Sequence, residues 1–141
     1  MNILKKLFGG KDSVEADMPP PASVPPPPPQ PLHITEISPT DLQARLANGA
    51  NNLVVVDMRA GWEYQMGHIP GAIHMFIQEI PARFHELPQN KDVVFQCWHG
   101  NTSQDASAFL IQKGWDAARV ASLHGGMAGW VQTHGQDSLA K

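Results

Sequence analysis

From residue 33 onward the chain alternates short apolar runs with amphipathic stretches, and the change of period marks strands and helices in turn. Residues 33–37 read as a short strand. Ser38 then opens a helix as its N-cap, with Pro39 in the first turn and Asp41 as the capping-box acid. Leu42 and Leu46 share one face of that helix, and Gly49 can stop it. Residues 53–58 form a nearly continuous apolar, β-branched run, the mark of a strand covered on both faces. Residues 72–74 form a short strand, followed by a helix over 76–84 that Pro81 bends or splits. A second buried strand covers 92–97. A helix over 103–113 turns Ala106, Phe109 and Leu110 inward and ends at Gly114. A last strand over 120–123 and a closing helix over 127–133 complete the series.

Alternating elements of this kind predict an α/β sandwich, with helices on both faces of a mostly parallel sheet. Chemistry in such folds collects outside the carboxyl ends of the strands, where loops run into helix N-termini. Cys97 sits at such a place: it ends a buried strand, and the next helix begins about five residues later.

The N-terminus is built differently. Nine of the thirteen prolines lie between Pro19 and Pro31, so residues 11–31 read as an extended linker and the folded domain as 32–135. A tail of 136–141 follows it. In the first ten residues Lys5 and Lys6 interrupt Ile3, Leu4, Leu7 and Phe8, which argues against an export signal. Those four apolar residues share a face if the segment is helical, which would suit a weak membrane-surface or protein-docking foot. So short a helix is unstable alone, and a frayed terminus is the plainer reading.

Hydrophobic residues make up 42% of the chain despite the proline tract, enough for a normal core. The net charge of −3, with no cluster of Lys and Arg, speaks against nucleic acid and for small molecules or proteins as partners. A single cysteine excludes an internal disulfide and suits a reducing compartment, so a cytoplasmic location is expected.

The loop reads Cys97, Trp98, His99, Gly100, Asn101, Thr102, Ser103. Gly100 and Asn101 tolerate the backbone conformations that let a short loop curl its N–H groups inward as an anion-binding nest. The following helix N-terminus adds free donors and partial positive charge. A cysteine in that cradle should ionise readily, and the thiolate is the reactive form. An inert buried cysteine at a strand end fits the same pattern equally well.

Further segments narrow the choice. Asp57-Met58-Arg59, then Glu63, then Gly67-His68-Ile69-Pro70-Gly71-Ala72-Ile73-His74, the Cys97 loop and Gly125-Gly126-Met127-Ala128-Gly129-Trp130 follow in order. Together they resemble the rhodanese-like family over about residues 34–133, and the loop is most similar to that of single-domain bacterial thiosulfate sulfurtransferases of the GlpE type. The resemblance implies a two-step sulfur transfer with Cys97 as nucleophile and no cofactor. Its partners would be a small sulfur donor such as thiosulfate and a thiol or protein acceptor. The backbone amides of Trp98, His99, Gly100, Asn101, Thr102 and Ser103 would bind the donor. The resemblance makes Asp57, Arg59 and Glu63 structural, with Asp57 tying down loops and Arg59 paired with Glu63. Many rhodaneses carry arginine where this chain has Thr102, which leaves one uncharged hydrogen-bond donor in its place.

The seven histidines show no metal-ligand spacing, and no metal is expected. His68 and His74 read as residues of the fold or pocket rim, and His99 and His124 as candidates for the pocket mouth. A cysteine phosphatase would need arginine six residues after the cysteine, where this chain has Ser103. A papain-like protease would need a larger domain. A non-catalytic binding module of the same fold, tethered by the N-terminal segment, is the remaining alternative.

Overall fold

The computed structural model describes residues 33–49 and 51–141. The readings of the N-terminal foot and the proline linker fall outside these residues. Five strands form one parallel sheet: β1 (Thr35–Ile37), β2 (Leu53–Asp57), β3 (Ile73–His74), β4 (Asp92–Gln96) and β5 (Val120–Leu123), in the spatial order β1-β5-β4-β2-β3. The helices are α1 (Pro39–Ala47), α2 (Gly61–Met66), α3 (Ile80–Arg83), α4 (Thr102–Gln112) and α5 (Gly126–His134). None of the described helices is long and apolar enough to cross a membrane.

Alternation along the central strands divides the core in two. On β4, Val93 and Phe95 join Leu110 of α4 and Ile80 of α3 on one face. Val94 points the other way, into a cluster with Leu42 of α1 and Met127 and Trp130 of α5. Each of these buried side chains contributes about 1.5–3 kcal/mol relative to exposure, so both faces of β4 are firmly anchored. That anchoring fixes the carboxyl end of β4, from which the Cys97 loop departs.

Local signals act as expected in several places. The Ser38 side chain accepts a hydrogen bond from the Asp41 amide at 3.0 Å, with Pro39 in the first turn. Pro81 falls in the first turn of α3, and 3₁₀ turns flank that helix on both sides, so the stretch over 76–84 is split rather than continuous. Three details differ from the sequence pattern. Helix α2 is too short to show a period and escapes it. Strand β4 ends at Gln96 and α4 begins at Thr102, so the five-residue loop runs from Cys97 to Asn101, one position earlier than the sequence pattern places it, and Cys97 belongs to the loop. Residues 136–141 are no free tail: Ala140 exchanges backbone hydrogen bonds with His68, and Ser138 accepts one from the Trp130 indole.

Candidate active site

Two helix N-termini meet at the carboxyl end of β4, and Cys97 lies between them. Helix α4 starts just past the loop. Helix α5 is bonded to the loop itself: the Met127 amide donates to the Cys97 carbonyl at 2.7 Å, and the Ala128 amide donates to the Trp98 carbonyl at 2.9 Å. Such an approach requires glycine at position 126. Its φ is +60°, and a Cβ there would stand 2.5 Å from the Cys97 carbonyl oxygen. Gly100 is constrained in the same way, with φ +90° and a would-be Cβ 3.0 Å from the Gly125 nitrogen.

With its carbonyls engaged by α5, the loop presents donors to the sulfur. The Gly100 amide donates to Cys97 Sγ at 3.1 Å. Ser103 Oγ lies 3.4 Å from Sγ and 2.6 Å from Ser122 Oγ on β5, and both serines are fully buried. Burial pushes the Cys97 thiol up, but hydrogen bonds from the Ser103 and Thr102 side chains and the Ser103 and Gly100 amides outweigh it. The net result is a thiol pulled down to about 7. At neutral pH a large share is therefore thiolate, while only 7% of the residue is exposed.

The sulfur faces a concavity of about 320 Å³, whose lining includes Met58, Ile77, Trp98, His99, Asn101 and Thr102. The structure thus brings Trp98, His99, Asn101 and Thr102 of the loop named from the sequence around one space, whereas Gly100 and Ser103 do not line it and meet the sulfur instead. Arg59 and Glu63 also border that space, but they do not pair with each other, contrary to expectation. The Arg59 guanidinium is drawn inward to the fully buried Asp57 carboxylate at 2.7 Å and to the Gly67 carbonyl at 2.7 Å. Glu63 turns instead to the start of its own helix, accepting from the Ala60 amide at 2.9 Å, and to the Trp98 indole N–H. Asp57 also accepts from the Arg59 amide at 3.0 Å, so it ties down the turn after β2. The Trp98 ring lies over Arg59, 4.8 Å from guanidinium carbon to ring centre.

The histidines separate by role. His74 bonds the Arg59 carbonyl and His68 stacks on Tyr64, so both serve the fold. His99 lines the pocket, whereas His124 pairs with Glu36 on the surface. Ser122, Gly126 and the two α5 amides were not picked out as site groups by sequence reasoning. The adjacent Gly125 and Gly126 at a strand-to-helix junction were the available signal for the last three.

A cysteine whose thiol is drawn down by the donors of a short loop at the end of a parallel sheet is an arrangement suited to thiolate chemistry. The rhodanese-like domain family matches residues 38–133, and the chain belongs to that family. It is 37% identical to a protein of Allochromatium vinosum named sulfurtransferase, over 76% of this chain and 96% of the relative. It is 34% identical to the thiosulfate sulfurtransferase GlpE of Pseudomonas syringae pv. syringae, over 73% of this chain and 92% of the relative. Its fold is similar to the crystal structure of a rhodanese-related protein from Thermoplasma volcanium, with a TM-score of 0.63 and 27% identity. That likeness covers 71% of this chain and 93% of the other.

Proposed function

We propose that the protein is a sulfurtransferase that moves a sulfane sulfur from a donor such as thiosulfate, through a persulfide on Cys97, to a thiol or to cyanide. The observation that carries this is the set of donors around a sulfur whose thiol is pulled down to about 7. The Cys97 thiolate attacks the outer sulfur of thiosulfate, the sulfur–sulfur bond of the donor breaks, and sulfite leaves with the electron pair. The amides of residues 98–103 hold the donor's oxygens and then the negative terminal sulfur of the persulfide. The names borne by the two sequence relatives agree with this chemistry. A reducing, cytoplasmic setting would keep Cys97 free for it.

The test is the mass of the reduced full-length chain after incubation with thiosulfate and no acceptor. One added sulfur per chain is expected, released by cyanide and absent in Cys97→Ser. A binding module or a phosphatase would leave the mass unchanged with every sulfane donor, and that result would overturn the proposal.

A further inference from the structure

The Trp98 indole is the wall of two cavities. Besides the pocket over Cys97 it borders a second one of about 410 Å³, and Arg59 and Glu63 also belong to both. The second cavity lies between α2 and α5. Trp62 and Met66, four residues apart on one face of α2, form one rim, while Val131 of α5 and Leu139 beyond it contribute to the opposite lining.

Two features bear on what it could hold. Its charged neighbours are already engaged: Arg59 by Asp57 and Gly67, Glu63 by Ala60 and Trp98. The remaining lining is predominantly apolar, which suits no sulfur oxyanion. Trp62 and Met66 are also 65% and 68% exposed, although large apolar side chains are usually covered. The volume falls within the range of about 300–1,000 Å³ common for sites that enclose small organic molecules, and far exceeds what cyanide would fill.

We infer that this cavity is the acceptor subsite and that it seats the apolar body of a small organic thiol, whose sulfur reaches past Trp98 to Cys97. The inference rests on the persulfide reading above and gives its acceptor a chemical class. In the step it serves, the acceptor thiolate attacks the terminal sulfur of the Cys97 persulfide. A sulfur–sulfur bond forms to the acceptor, the one to Cys97 breaks, and Cys97 departs with the electron pair as thiolate. The acceptor leaves as a persulfide, and no oxidant or reductant is consumed.

The experiment compares two probe thiols of similar acidity, 2-phenylethanethiol and 2-mercaptoethanol, discharging the persulfide-loaded full-length protein. Burial of the phenyl group should make the first faster by about tenfold or more, with saturation. In Trp62→Ala/Met66→Ala, two exposed positions whose loss leaves the core intact, that preference should largely disappear. A second arm uses 2-phenylethanol, which cannot accept sulfur, on Cys97→Ser. Saturable quenching of tryptophan fluorescence is expected there, and its loss in the variant carrying the two α2 substitutions as well. Equal discharge rates for the two thiols would overturn the inference while leaving persulfide formation standing. Failure of thiosulfate and every other sulfane donor to load sulfur would overturn the transfer reading and the acceptor role together. The 2-phenylethanol arm would then still report whether the cavity binds apolar groups.

Discussion

Ser122 Oγ stands 2.6 Å from Ser103 Oγ, and the second of these hydroxyls stands 3.4 Å from the sulfur of Cys97. When Cys97 is ionised, Ser103 must donate to the sulfur, and Ser122 is placed to donate to Ser103 in turn. The chain of donors is fully buried at both serines, where hydrogen bonds polarise one another more than they do in water.

Removing the outer member should therefore weaken the inner one. In the wild type, the rate of persulfide formation should climb with pH through a midpoint of about 7 and level off above it, because only the thiolate attacks. Ser122→Ala should move that midpoint upward, toward the ordinary thiol range, by roughly a few tenths of a pH unit to one unit. Stopped-flow loading rates across pH would measure it. An unmoved midpoint in a folded variant would show that Ser122 does not act on the sulfur.

Gly126→Ala tests the contact between α5 and the loop. The new Cβ would meet the Cys97 carbonyl oxygen at 2.5 Å at a φ of +60°. Clash and left-handed strain together should cost about 2–5 kcal/mol. Gly71→Ala is the control, since Gly71 has a φ of +83° in the turn closed by the Ala72 amide and the Ile69 carbonyl, but nothing within 4 Å of its Cβ position. It should lose only the conformational part, about 1–2 kcal/mol. Denaturant midpoints of the two variants would check the difference, and equal losses would refute a tight α5–loop contact.

Ser122 and Arg59 show where the sequence stopped being informative. Apolar periods and the Ser38 cap foretold the strands and α1, because those signals are local. Cys97 and its loop were legible because a strand end, Gly100 and a helix start lie within a few residues of one another. Ser122 sits 25 positions from Cys97 by the numbering, on a strand whose alternation says only which face it occupies. Its hydroxyl becomes meaningful only once β5 lies beside β4. The pairing of Arg59 was misplaced for a similar reason. The family resemblance pointed to Glu63 as its partner, but the buried Asp57 carboxylate at the end of β2 has the stronger need for a cation.

That need has a measurable consequence. Arg59→Met leaves Asp57 charged and unpaired in the interior, which should cost about 3–5 kcal/mol. Asp57→Leu/Arg59→Met removes both charges and should recover part of the loss, though the Arg59 amide still forfeits its acceptor. Urea unfolding followed by tryptophan fluorescence would test this, and the native spectrum should also change as Trp98 loses the cation beneath it. A double variant no more stable than the single one would refute the account of Asp57 as a charge that needs Arg59.

Position 102 tests how the site holds its donor. Thr102 lines the pocket and helps draw the Cys97 thiol down, yet it brings no charge to an anionic substrate. Thr102→Arg should replace one neutral donor with a cationic one beside the loop amides. A hydrogen bond from a charged group contributes about 1.5–3 kcal/mol, so KM for thiosulfate should fall by about tenfold or more. The gain should appear mainly in KM, because thiosulfate carries its negative charge before the reaction begins and ground-state binding benefits first. The added cation should also keep the Cys97 thiol low despite the lost hydroxyl, since a nearby positive charge favours the thiolate. Steady-state kinetics with thiosulfate and cyanide, alongside the pH dependence of loading, would separate the two effects. An unchanged KM in a folded variant would mean that the side chain at 102 does not face the donor.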